Sequence, residues 1–217
     1  MIISEISKRI FTSIILFPLV IFLITYNQIT STILLILIFL ISTYEWIKIN
    51  SKIVSIVSFL GIIFLLTVCF LAFVLRGNVF EDTVLFIYII LISICSDIGG
   101  YIFGKIFKGY KLTSISPNKT YSGVLGSLTF SFIPIVVYNL IGLQNNLFLF
   151  NLSNFLIILL LSIVSQVGDI TISYFKRKNK IKDTGNILPG HGGLLDRIDG
   201  ILFVIFIFGI IKTFKLI

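Results

Sequence analysis

Long apolar runs separated by short polar stretches organise this chain. Ile53–Leu75 and Gly123–Leu143 carry no charge, and Ile10–Tyr26, Thr83–Ile94 (continuing past Asp97 to Phe103), Leu147–Val167 and Ile201–Ile211 read the same way. Thr32–Ile47 joins them with a single glutamate, Glu45, near its end. A helix needs about 20 mostly apolar residues to cross a bilayer. The pattern therefore predicts an all-α, polytopic integral membrane protein with about seven transmembrane helices, in a range of six to nine. Lys8-Arg9 ahead of the first run looks like the start of a secretory leader, but Tyr26-Asn27-Gln28 is a poor cleavage site. The run is read as a retained helix. No linker or repeat divides residues 1–217, which read as one membrane domain.

Composition agrees: 57% of the residues are hydrophobic and only 12% charged, far too apolar for an ordinary soluble domain. Charge then sets the orientation. With seven crossings, the N-terminus, Lys48–Lys52, Lys105–Lys119 and Lys176–Arg197 fall on one side. That side holds 14 of the 17 basic residues, leaving Arg76, Lys212 and Lys215 on the other. Positive-inside bias puts the richer side, and the N-terminus, in the cytoplasm of a cell inner membrane. Topology and attraction to anionic headgroups account for much of the +8 charge, so no nucleic-acid partner is expected. Cys69 and Cys95 lie inside apolar runs and read as packing residues. With one histidine in the chain, a zinc site is not expected.

The remaining polar residues concentrate in two blocks. In the first, Cys95 to Gly123, Ser96-Asp97 follows three apolar helical turns. A carboxylate at that depth is costly unless paired, hydrated or bound to a cation. Gly99, Gly100 and Gly104 read as close helix packing. Ser114 to Gly123 reads either as a plain loop or as an anion-binding turn. For the latter, Pro117 ends any helix, Lys119 supplies charge, Ser116 and Thr120 supply hydroxyls, and Gly123 frees the backbone at a helix start.

In the second block, Ser165 to Gly200, a helix continuing to about Lys178 would put Asp169, Ser173 and Lys176 on one face. Asp196 and Asp199, three apart, begin the last helix near its positive end. Pro189 to Gly193 has little bulk and can lie tight against a ligand. Each aspartate alone could cap a helix or pair with Arg197. Together, among only nine acids, they favour an oxygen-rich site for a hard cation such as Mg²⁺. Aspartates holding a divalent metal, with Lys and Arg around a polyphosphate, support phosphoryl or nucleotidyl transfer at the cytoplasmic face. No nucleophile–base pair is evident, so no covalent protein intermediate is expected. The chain then divides into N-terminal helices, 1–82, and a catalytic part, 83–217, with cytoplasmic loops at 104–122 and 174–199.

The second block resembles, nearly residue for residue, the signature of the phosphatidate cytidylyltransferases (CDP-diacylglycerol synthases). The matching residues are Ser173, Lys176-Arg177, Lys182-Asp183, Pro189 to Gly193, and Asp196-Arg197-Ile198-Asp199, over 27 positions. Ser96-Asp97 and Ser116-Pro117-Asn118-Lys119-Thr120 look like the family's other polar stretches. The resemblance covers roughly the C-terminal 120 residues. It implies a reaction in which CTP and phosphatidic acid give CDP-diacylglycerol and pyrophosphate, the lipid phosphate attacking the CTP α-phosphorus in line. It implies metal binding by Asp169, Asp196 and Asp199, with Mg²⁺ and a second, monovalent cation such as K⁺, and a catalytic role for these residues with Lys182. Lys119, Lys176, Arg177, Lys182 and Arg197 would neutralise phosphates. Ser96, Asp97, Ser116, Thr120, Ser173, Asp183, His191, Gly192 and Gly193 would complete substrate binding, His191 as a hydrogen-bond donor or turn former rather than a general base. The membrane lipid would enter sideways, and a homodimer follows from family analogy alone.

One position departs from the pattern. After Lys-Thr the family usually has an aromatic, glutamate and glycine, where this chain has Tyr121-Ser122-Gly123. Rival readings are a CDP-alcohol phosphotransferase, a CTP-dependent lipid kinase and a cation-coupled transporter using Asp97 and Asp169. The first is disfavoured because no Ala-Arg follows Asp199-Gly200 and no acid follows Asp199.

Overall fold

Among the described residues, eight α-helices account for nearly all of the regular structure. The computed structural model describes residues 2–49, 56–113, 115–116, 119–143, 146–188, 190 and 192–215. The helices are α1 (Ile2–Tyr26), α2 (Gln28–Ile49), α3 (Ile56–Arg76), α4 (Phe80–Phe107), α5 (Tyr121–Phe130), α6 (Ile133–Ile141), α7 (Leu152–Lys178) and α8 (Leu195–Thr213), with a single 3₁₀ turn at Asn146–Phe148. Among the described residues there is no β-strand beyond two isolated bridges. Residues 52–55, which include the start of the predicted Ile53–Leu75 span, lie outside the described residues.

Among the described residues, five segments are long and apolar enough to cross a membrane: α2, α3, α4, the α5–α6 stretch Tyr121–Ile141, and α7. α1 adds the shorter apolar stretch Ile14–Tyr26. The apolar part of α8 is short, yet the helix runs the height of the bundle. Its first amides meet Glu45 near the end of α2, while Lys212 near its end pairs with Asp82 at the start of α4, 3.0 Å away. Together with α1 and α8, these five segments correspond to the seven apolar runs of the sequence.

Where one uninterrupted span is expected from Gly123 to Leu143, the chain is broken at Ser131–Phe132. Pro134 has no amide to bond the Phe130 carbonyl and its ring crowds that oxygen, so α5 stops there. α6 restarts with Pro134 in its first turn, where the missing donor costs nothing.

The outside of the bundle is apolar, with Phe17, Phe59, Leu66 and Phe70 exposed, as lipid contact requires. Inside, α4 is the central helix, and Ile89, Ile92, Leu161 and Val204 are sealed between α4, α7 and α8. Lipid tails are as apolar as these side chains, so close contact must come from small residues and interhelical hydrogen bonds. A Cβ on Gly99 would lie 2.3 Å from the Gly126 carbonyl oxygen, and one on Gly126 would lie 2.4 Å from that of Gly99. α4 is tied to α7 by Ser93–Ser165 and Ser96–Ser162 hydroxyl pairs at 2.7 and 2.8 Å. α8 enters the same level, where a Cβ on Gly200 would sit 2.4 Å from the Ser165 hydroxyl.

Gly99→Leu forces α4 off α5. It should destabilise by about 3 kcal/mol, seen as a lower unfolding midpoint in detergent. An unchanged midpoint would mean the two helices do not touch there.

Candidate active site

The small-residue junction of α4, α7 and α8 determines what lies above it. One helical turn beyond Ser93 is Asp97, one turn beyond Ser165 is Asp169, and Asp199 directly precedes Gly200. The three carboxylates are thus brought to one level, near enough that Asp169 repels both of the others electrostatically. They line a cavity of about 360 Å³ with Ser116, Lys119, Thr120, Asp196 and Arg197. Gly100, Tyr101, Gly123, Val124, Ser127 and Gln166 complete its wall.

Each charge has identifiable partners. Lys119 forms an ion pair with Asp169 at 2.6 Å and donates to the Gln166 carbonyl at 3.3 Å. Ser173 donates to Asp169 from one turn on, at 3.4 Å, since α7 does continue to Lys178. Asp199 accepts from the Gly200 amide at 2.9 Å. Thr120 caps α5 by accepting from the Gly123 amide, 3.1 Å away. Ser122, where glutamate is usual in the resembling family, is within bonding distance of Thr120 and donates to the Lys108 carbonyl.

Asp196 is engaged differently. Its Oδ1 receives Lys176 at 2.7 Å. Its Oδ2 accepts from the Thr184 amide at 2.8 Å and the Gly193 amide at 3.2 Å, with the Thr184 hydroxyl at 3.1 Å. This ion pair is buried, at 11% and 6% side-chain exposure, whereas Lys119 and Asp169 keep 22% and 32%.

Among the described residues no three His, Cys, Asp or Glu side chains converge closely enough to cage a metal. Mg²⁺ does not require that, because it takes one or two carboxylates and completes its shell with water and substrate phosphates. Asp169 and Asp199, hard oxygen donors facing one cavity, fit such an ion by donor chemistry. The Asp196 oxygens are already largely occupied by hydrogen-bond donors.

Other expected site residues lie elsewhere. Ser96 is sealed in the α4–α7 interface. Arg177 bonds the Ile181 carbonyl at 3.2 Å, and Lys182 and Asp183 are exposed on the loop after α7. Gly192 and Gly190 take positive φ, 87° and 77°, where Leu188 and Gly192 exchange backbone bonds across a tight turn. Gly193 has room for no side chain, since a Cβ would fall 1.9 Å from the Thr184 hydroxyl. His191, Pro189, Pro117 and Asn118 lie outside the described residues. Sequence reasoning missed Thr184, Ser165 and Gln166, which carry no distinctive pattern, and missed the use of Glu45. The available signal for Glu45 was a lone carboxylate in an apolar run.

Residues 50–214 match the model of the cytidylyltransferase family. A protein named phosphatidate cytidylyltransferase from Staphylococcus haemolyticus is 44% identical over 121 residues, 55% of this chain. One of the same name from Staphylococcus aureus (strain N315) is 41% identical over 121 residues. In both, the match spans just under half of the relative, 45% of its length. A third, from Rickettsia conorii, is 33% identical over 215 residues, 97% of this chain and 93% of the relative.

The two ion pairs should separate on mutation. Lys176→Met strands a buried carboxylate and should cost about 3 kcal/mol in detergent unfolding, while Lys119→Met should cost at most about 1 kcal/mol. Equal losses would contradict the distinction.

Proposed function

The chain belongs to the cytidylyltransferase family, and from this we propose that it transfers the cytidylyl group of CTP to phosphatidic acid, giving CDP-diacylglycerol and pyrophosphate. The observation that carries this reading is the single cavity in which Lys119 and Arg197 meet Asp97, Asp169 and Asp199. Cations and carboxylates around one polar hollow suit a triphosphate, the former contacting its oxygens directly.

A lipid phosphate oxygen attacks the α-phosphorus of CTP, the bond to the bridging oxygen of the β-phosphate breaks, and pyrophosphate leaves opposite. The phosphate monoester is already anionic near neutral pH, so no serine or cysteine nucleophile has to be activated. Lys119 and Arg197 bind phosphate oxygens and offset the charge that brings two anions together. When Lys119 turns to phosphate, the Asp169 carboxylate it pairs with becomes available. Mg²⁺, held by Asp169 and Asp199, would supply polarisation of phosphoryl oxygens and charge on the leaving group. Gly100 and Gly123 keep the α4–α5 wall free of bulk, and exposed Ile98, Tyr101 and Leu125 continue that wall into lipid-facing surface. This is the side from which acyl chains would approach. The charge bias of the loops supports a cavity that opens at the cytoplasmic face.

Labelled CTP should enter chloroform-soluble lipid only with phosphatidic acid and magnesium present, and a chelator should stop it. Asp169→Asn should lower the rate by about 100-fold or more without loss of folded protein. Wild-type turnover by that variant, or product formed without phosphatidic acid, would overturn the reading.

A further inference from the structure

Glu45 is fully buried, at 0% exposure, in the membrane-spanning part of α2, and the reaction above gives it no task. A carboxylate there must have its oxygens satisfied, and one segment far away in sequence does it. Oε1 accepts from the Leu194 amide at 3.0 Å; Oε2 accepts from the Leu195 amide at 2.8 Å and the Thr184 hydroxyl at 2.9 Å. These amides open α8, whose cap residue, Leu194, has no side-chain acceptor of its own. Glu45 therefore caps α8 from another helix, with its charge at the positive end of the helix dipole.

The fit leaves no slack. A Cβ on Gly185 would lie 2.7 Å from Oε1, and one on Gly193 would lie 2.8 Å from Oε2. Next in the chain, Trp46 packs edge-on against Phe175 of α7 at 5.0 Å and donates to the Ser58 carbonyl, which holds this end of α2 in place. The Thr184 hydroxyl also approaches Asp196, and having one proton it donates to one carboxylate at a time. Glu45, Thr184, Asp196 and Lys176 thereby link α2, the loop, α8 and α7.

We propose that Glu45 is a positioning residue for the cytidylyl transfer: by fixing the first turn of α8 it fixes the direction in which Arg197 and Asp199 face the cavity. This rests on the function proposed above. Glu45→Gln keeps the shape but turns an NH₂ group toward donors, while Glu45→Asp keeps the charge on a shorter arm. Assayed per folded molecule in detergent, Glu45→Gln should lower kcat by about 10- to 100-fold, with KM for phosphatidic acid within about twofold, and Glu45→Asp should recover part of the loss. Wild-type kcat in Glu45→Gln, a loss confined to KM, or no recovery in Glu45→Asp would overturn the proposal. Absence of product from the wild type would instead sink the function on which it rests, and the proposal with it.

Discussion

Three carboxylates share one level of this bundle, and like charges brought together away from bulk water repel strongly. What holds them there is backbone proximity. Ser93 and Ser165 bond across α4 and α7, and Gly200 lets α8 close against both. Asp97, Asp169 and Asp199 follow from those contacts by helix geometry alone. The repulsion is offset locally by Lys119 and by hydroxyl and amide donors, which leaves a cavity rich in negative charge.

Elsewhere the same bundle satisfies its buried charges outright. Asp196 and Glu45 are consumed by donors from the loop before α8, and Arg76, 5% exposed, spends its guanidinium on the Ile24 and Gly77 carbonyls at the opposite end. Satisfied groups stiffen the frame, and incompletely satisfied ones collect at the cavity. That division separates structural charge from chemical charge more clearly than residue type does.

Much of this was legible in the sequence. Apolar run length gave the spans, helical periodicity gave the face shared by Asp169 and Ser173, and glycine spacing after Asp97 gave close helix packing, though not α5 as the partner. The rest was not, for physical reasons. Spacing shows that Asp196 and Asp199 lie near one another, but not that a loop amide and Lys176 would take up one of them. Asp97 read as either a structural or a functional acid until α7 was seen beside it. Pro134 could end a helix, yet only Phe130 and its neighbours show where. Glu45 acts on amides roughly 150 positions away, and no local pattern encodes such a contact.

The function proposed above requires this cavity, and specifically its α7–α8 edge, to bind the metal–nucleotide complex. The most direct measurement is an anomalous difference map from crystals grown with Mn²⁺ and a non-reactive CTP analogue. A peak within coordination distance of the Asp169 and Asp199 carboxylates, with the triphosphate reaching Lys119, is the expected result. A peak remote from both, with the nucleotide bound elsewhere on the protein, would contradict it.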